Sequence, residues 1–217
     1  MTENKIGSSD DIHSMSAEGG GDKVGGAGDG AWFRIAPFAA IALSLFFASM
    51  WICAVVVNGD WTLGEDTLSE LGGAGPSEWI FNLAVIVSGL IGIFFAIGFD
   101  ARLRSLKTGR IGCTALAIAS VFLISVGVFP IDTGLPHGVV SVLFFTTAAL
   151  AAMLLLRPIF KWVGPRGVPF IATVAALATS FASLALTPLP FAEAVAVASL
   201  LAWSLVIGAW MLSERIR

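Results

Sequence analysis

Residues 78–99 read EWIFNLAVIVSGLIGIFFAIGF, and this stretch decides the fold class. Its single ionisable residue, Glu78, stands at the start, and Asn82 is the only amide that follows. A helix that rises about 1.5 Å per residue needs roughly 20 apolar residues to cross a hydrocarbon core of about 30 Å. The stretch is therefore predicted to be one membrane-spanning helix.

Five more stretches of this kind predict an all-α, polytopic membrane protein. The six predicted spans are residues 35–57, 78–99, 111–129, 138–156, 168–187 and 192–212. The chain is 57% hydrophobic and 12% charged, with a mean hydropathy of +0.90, whereas soluble proteins carry about 25% charged residues. Sustained two-residue alternation is absent, which disfavours barrel strands. A soluble globular domain is therefore excluded.

The composition divides the chain into three parts. Residues 1–33 form a glycine- and acid-rich tail, whose composition is typical of disorder. Residues 34–213 hold the six spans in one bundle, and residues 214–217 form a short basic C-terminus. Cys53 and Cys113 both lie in apolar runs, so a disulfide scaffold is excluded. The net charge of −3 argues against nucleic acid as a partner.

The distribution of charge predicts how the bundle is oriented. The basic residues flank the first and last spans and fill the second and fourth loops: Arg34, Arg102, Arg104, Lys107, Arg110, Arg157, Lys161, Arg166, Arg215 and Arg217. The other three loops contain no Lys or Arg but hold acids at or beside them: Asp60, Glu65, Asp66, Glu70, Glu78, Asp132 and Glu193. Because basic flanks stay in the cytoplasm, both termini are predicted to be cytoplasmic.

The longest acidic loop, residues 58–79, supplies the first candidate binding residues. Asp66, Ser69 and Glu70 are spaced so that they would share one face of a short helical turn. That face would present acceptors to a polar headgroup, a cation or a basic partner, while Leu68 and Leu71 would face the bilayer. The alternative is a solvated loop face.

The start of the second span adds two further candidate binding residues. Trp79 stands where interfacial aromatic side chains are expected. Asn82 lies inside the apolar helix, where an amide without a partner costs about 1–3 kcal/mol. It is predicted to bond a neighbouring segment, either as structural glue or as part of a cavity wall.

Asp132, His137 and Glu193 are the candidate catalytic residues. His137 follows Asp132 across a short turn bounded by prolines, and a histidine paired with a carboxylate can act as a general acid or base. Glu193 lies in a run so apolar that its carboxylate is expected at membrane depth. The alternatives are a histidine that bonds only a loop carbonyl and a glutamate that favours a helix start. Since no second His or Cys ligand accompanies His137, neither a metal site nor a cofactor is predicted.

The order of these residues resembles a known family over about residues 35–212. Ser69-Glu-Leu-Gly, Pro76, Trp79, Phe81 and Asn82 are followed by Gly127-x-Phe-Pro, Asp132 and His137-Gly. This pattern resembles the prokaryotic six-helix membrane family catalogued as domain of unknown function 998, and it is more distantly similar to the DRAM and FGF-receptor-activating-protein-like families. The resemblance implies six helices in a prokaryotic cell membrane and a polar cluster on the non-cytoplasmic face. By analogy with the more distant families, it also favours a function that involves lipid.

Two function hypotheses follow, and both leave catalysis open. In the first, the bundle binds or processes a membrane lipid or another amphiphile through a polar site at its extracytoplasmic end. In the second, the chain is a non-catalytic subunit or assembly factor whose partners are other membrane proteins. A transporter is disfavoured because the sequence shows no internal repeat and no helix interrupted near its centre.

Overall fold

Six long helices make up the described part of the chain. The computed structural model describes residues 27–216, so most of the predicted tail lies outside the described residues. The helices are α1 (Ala27–Asn58), α2 (Glu78–Leu103), α3 (Lys107–Val128), α4 (Leu135–Val163), α5 (Val168–Leu186) and α6 (Leu189–Ile216). Within residues 27–216 there is no strand, and two short 3-10 helices, Leu68–Gly72 and Ile131–Thr133, lie in the loops. All six helices are long and apolar enough to cross a membrane, as predicted, and the protein is an integral membrane protein.

Most helices extend beyond the predicted spans. α4 begins before residue 138 and continues past residue 156, and α6 also exceeds its predicted span at both ends. The predictions counted the residues that cross the hydrocarbon core, but a helix keeps its backbone hydrogen bonds in the headgroup region as well. Pro136 and Pro190 occupy the first turns of these helices, where a missing N–H has no intrahelical partner to lose.

The helices pack as a ring in chain order, which α1 closes by packing against α6. Glycines bring several backbones close together. A Cβ on Gly89 of α2 would lie 2.7 Å from the carbonyl oxygen of Ser120 on α3, and one on Gly208 of α6 would lie 2.8 Å from the carbonyl oxygen of Pro37 on α1. Such close approaches are typical of small residues in membrane bundles. The ring is loosest where α4 meets α5, and this join is called the seam.

Polar contacts gather the basic flanks at one end of the bundle, called the basic end. Glu214 of α6 forms a 3.0 Å salt bridge with Arg102 of α2 and accepts a 3.1 Å hydrogen bond from Nε1 of Trp162 on α4. Arg215 donates to the carbonyl oxygen of Arg34 at 2.8 Å. The flanks that the sequence predicts to share one side therefore do so. The opposite end carries the acidic loops and is called the acidic end.

An aromatic cluster fills the centre of the bundle. Phe95 and Phe99 stack with ring centroids 5.3 Å apart, and the ring of Trp203 meets them edge-on at 6.0 and 6.3 Å. Trp203 is only 3% exposed, and its Nε1 donates to Oγ1 of Thr173 at 2.8 Å. The indole is therefore both packed and hydrogen-bonded, which holds it in one position halfway along α6.

Candidate functional site

The first acidic loop folds into the bundle. Leu68 and Leu71 are 1% and 0% exposed and pack in a cluster with Phe47 of α1 and Phe81 of α2. The expectation that these leucines face the bilayer is therefore wrong. The apolar gap between the ends of α1, α2 and α6 takes up both side chains, so the 3-10 helix lies on protein and covers part of the acidic end.

Amides anchor this loop to the adjoining helices. Nδ2 of Asn82 donates to the carbonyl oxygen of Gly72 at 2.8 Å, so the predicted partner of Asn82 is the loop backbone. Nδ2 of Asn58 donates to Oγ of Ser77 at 3.0 Å, and Ser77 in turn donates to the carbonyl oxygen of Leu71 at 2.8 Å. These bonds support the interpretation of Asn82 as structural glue.

Two of the predicted binding acids stabilise the loop itself. Asp66 accepts a 2.7 Å hydrogen bond from the backbone N–H of Thr62. Glu70 is exposed and accepts from both the N–H and the hydroxyl of Thr67. Ser69, by contrast, is buried. The three side chains thus do not share one face, because the 3-10 helix begins at Leu68 and leaves Asp66 outside it.

Asp132 and Trp79 lie apart from any common site. Oδ2 of Asp132 accepts a hydrogen bond from the N–H of Ala74 at 2.6 Å, which ties the two acidic loops together. The predicted pairing of Asp132 with His137 is therefore replaced by a loop contact. Trp79 is 81% exposed on the outer face of α2, as expected of an interfacial aromatic residue.

His137 is held in one orientation by bonds at both ring nitrogens. Nδ1 lies 2.8 Å from the carbonyl oxygen of Phe129, and Nε2 lies 3.2 Å from Oγ of Ser141. Because a carbonyl only accepts, Nδ1 carries a proton and donates it to the carbonyl of Phe129. Nε2 shares the second hydrogen bond with the Ser141 hydroxyl. The carbonyl bond that the alternative interpretation expected is therefore present, but it is not the only contact of the ring, because the second nitrogen lies against a serine.

Sequence reasoning missed Ser141. Seven hydroxyls elsewhere in the described helices donate to the carbonyl four residues earlier, namely those of Ser44, Ser49, Ser120, Ser125, Thr146, Thr173 and Thr179. The hydroxyl of Ser141 instead bonds the imidazole. The available signal was its spacing, since a residue four positions after His137 lies next to it on a helix.

Glu193 fastens the first loop to α6. Its Oε1 accepts from the hydroxyl of Ser69 at 2.9 Å, and its Oε2 accepts from the N–H of Leu68 at 3.2 Å. A partly buried carboxylate thus satisfies groups that belong to a distant part of the chain, so its role extends beyond the start of its own helix.

A cavity of about 540 Å³ opens between α4, α5 and α6. At its acidic end it is lined by polar side chains, called here the polar end: Thr67, Ser69, His137, Ser141 and Glu193. Three of the predicted site residues, Ser69, His137 and Glu193, are therefore brought together. The structure does not bring Asp66, Glu70, Trp79, Asn82 or Asp132 to the cavity wall.

The rest of the cavity is mainly apolar. Its wall is formed by alanine, leucine and phenylalanine side chains with the hydroxyls of Thr146 and Ser180, and it ends at Trp203. On α4 the lining extends from His137 to Ala152, a length of about 22 Å. Along the seam the cavity is open to the side, where Val142, Phe181 and Leu184 are 62%, 46% and 61% exposed. These residues would face lipid in a bilayer.

No curated protein and no solved structure matches the chain. The model of one family, described as "Protein of unknown function (DUF998)", matches residues 26–210, which include the first five helices and most of α6. Six apolar helices and a match over most of the chain agree with the family pattern seen in the sequence. The chain therefore belongs to this family, described as protein of unknown function (DUF998).

Proposed function

We propose that the protein binds a single-chain amphiphile in the cavity between α4, α5 and α6. One observation supports the proposal: the cavity has a carboxylate and an imidazole at one end only, and a long, mainly apolar wall below them. From the distribution of Lys and Arg we place the polar end on the extracytoplasmic side of a cell membrane, with both termini in the cytoplasm.

The dimensions and position of the cavity suit such a ligand. A volume of about 540 Å³ lies within the range of about 300–1,000 Å³ that is usual for small-molecule sites. Below the polar end, the mainly apolar part of the wall on α4 extends from Val142 to Ala152, a length of about 15 Å, and the opening along the seam would let an acyl or alkyl chain enter from the lipid. The headgroup would then lie beside Glu193.

We propose binding and not catalysis. Ser141 and His137 have the contact expected of a nucleophile and its base. Acyl transfer also requires N–H or O–H donors that stabilise an oxyanion. At the polar end, the hydroxyls of Thr67 and Ser69 and the N–H of Leu68 already donate to carboxylates. These donors are therefore not available to stabilise an oxyanion, which is why the proposal is limited to binding.

A cavity-filling variant tests the proposal. Ala196 lines the cavity, and Ala198 lies exposed on the same helix, so Ala196→Phe and Ala198→Phe form a matched pair. Each protein is placed in lipid nanodiscs and titrated with bromododecanol that carries bromine at its chain terminus. Bromine quenches tryptophan fluorescence on contact, and Trp203 closes the cavity.

We expect a saturable component of quenching in the parent protein and in Ala198→Phe, and its loss in Ala196→Phe. Quenching that never saturates in the parent, or that saturates equally in Ala196→Phe, would refute the proposal. The second hypothesis, a non-catalytic subunit, predicts instead that mild extraction yields a stable complex with another membrane protein.

A further inference from the structure

We infer that the polar group of the ligand is a protonated amine. This inference rests on the proposed function and specifies its ligand, since the polar end of the cavity offers acceptors while its own donors are engaged. The chemical class is a single-chain amphiphile whose head carries N–H donors and a positive charge.

The hydrogen bonds at the polar end support an incoming donor. The hydroxyl of Ser69 donates to Glu193, that of Thr67 donates to Glu70, and that of Ser141 lies against Nε2 of His137. A carboxylate has about four acceptor positions, and Glu193 accepts from the hydroxyl of Ser69 and from the backbone N–H groups of Leu68 and Ser69, which leaves about one position free. The remaining acceptor position, with the hydroxyl oxygens, matches the three N–H groups of a primary ammonium.

The charges of the site favour a cation. Glu193 is the only Asp or Glu among the residues that line the cavity, and no Lys or Arg is among them. A carboxylate removed from water is stabilised when an opposite charge lies beside it. The three loops of the acidic end also lack Lys and Arg, so the wider field repels an anionic head and attracts a cationic one.

A series of probes with one chain and different heads tests the inference. Bromododecylamine, bromododecyltrimethylammonium, bromododecanol and bromododecyl sulfate are compared in the nanodisc quenching assay. Hydrogen bonds to a charged group are stronger than those between neutral groups, so we expect the amine to bind at least about tenfold more tightly than the alcohol. The trimethylammonium probe has the charge without N–H donors and should fall between them, and the sulfate should bind most weakly.

Two variants locate the preference. Glu193→Gln should reduce the ratio of amine to alcohol affinity to near one. Glu65→Gln removes the same charge from an exposed position of the first acidic loop and should keep the ratio. Because the ratio is taken within one protein, a general loss of binding does not imitate the result, and the series in the parent protein is decisive even if Glu193→Gln does not fold.

The outcomes separate the two proposals. Equal saturable binding of amine and alcohol by the parent protein overturns the amine assignment and leaves the proposed function standing. Absence of saturable quenching with every probe overturns both. Lysophosphatidylethanolamine and unlabelled dodecylamine are then compared as competitors: displacement by the first assigns the site to a membrane lipid, displacement by the second alone assigns it to a simple amine, and either supports the shared chemistry.

Discussion

The contact between Gly72 and Asn82 gives the sharpest test of how the first acidic loop is held. A Cβ on Gly72 would lie 2.3 Å from Oδ1 of Asn82 and 3.0 Å from Cδ1 of Phe81. Gly72→Ala must therefore displace the amide and break its 2.8 Å bond to the loop. Overpacking costs about 1–3 kcal/mol and the lost hydrogen bond about 0.5–1.5 kcal/mol. We expect the free energy of unfolding to fall by about 2–4 kcal/mol.

The two cysteines provide the assay. Cys113 is buried and Cys53 is exposed, so in a Cys53→Ala background a thiol-reactive dye reports unfolding through Cys113. The expected loss corresponds to a fall in Tm of about 5–15 °C for a chain of this size. Gly75→Ala is the matched control, because its new Cβ has nothing closer than 3.9 Å.

A double-mutant cycle separates the clash from a general loss of stability. Asn82→Ala alone leaves the Gly72 carbonyl without its donor, which costs about 1–3 kcal/mol. In the double variant the new Cβ at position 72 no longer meets the amide. The loss of unfolding free energy in the double variant should therefore be smaller than the sum of the losses in the two single variants, by a coupling of about 0.5–3 kcal/mol. Strict additivity, or an unchanged Tm for Gly72→Ala, would refute this account of the loop.

Two further predictions concern the helices. Gly89→Ala should lower the free energy of unfolding by about 1–3 kcal/mol, because its Cβ would meet the Ser120 carbonyl. Gly138→Ala is the control: the position has open space around it, so its Tm should be unchanged or slightly raised. Equal Tm values for the two variants would contradict the close packing of α2 and α3. Glu214→Gln removes an exposed salt bridge with Arg102 and should lower the free energy of unfolding by at most about 1 kcal/mol. The difference in Tm between this variant and the parent protein should shrink in high salt. A larger difference that does not depend on salt would contradict the interpretation of this contact as a surface salt bridge.

The helices could be predicted because the signal for them is local. Residues 78–99 are apolar enough to require a span whatever surrounds them, and the six helices are confirmed. The number of spans also predicts which flanks share an end, because an even number of spans returns the chain to its starting side. The structure accordingly groups Arg34, Arg102 and Arg215 at one end. The cytoplasmic location of that end stays a prediction.

The candidate site could be predicted only in part, because its contacts join distant residues. Glu193 bonds Ser69 across 124 positions, and neither neighbourhood contains a pattern that names the other. The spacing of Leu68 and Leu71 predicts that they share an apolar face, whereas only the packed bundle shows that this face contacts protein and not the bilayer. Ser141, by contrast, was within reach of the spacing rule for helices.

The aromatic side chain of Trp203, where the cavity ends, limits how deep into the bundle a ligand can reach. Trp203 lies halfway along α6, and Phe95 and Phe99 pack against it, so the cavity ends there and does not reach the basic end. If the proposed amphiphile binds with its head at the polar end, we expect it to enter from the leaflet at the acidic end, and its charged head would find no path through the bundle to the other leaflet. The occupancy of the cavity would then follow the mole fraction of ligand in that leaflet. In sealed vesicles, only ligand in the monolayer at the acidic end would bind.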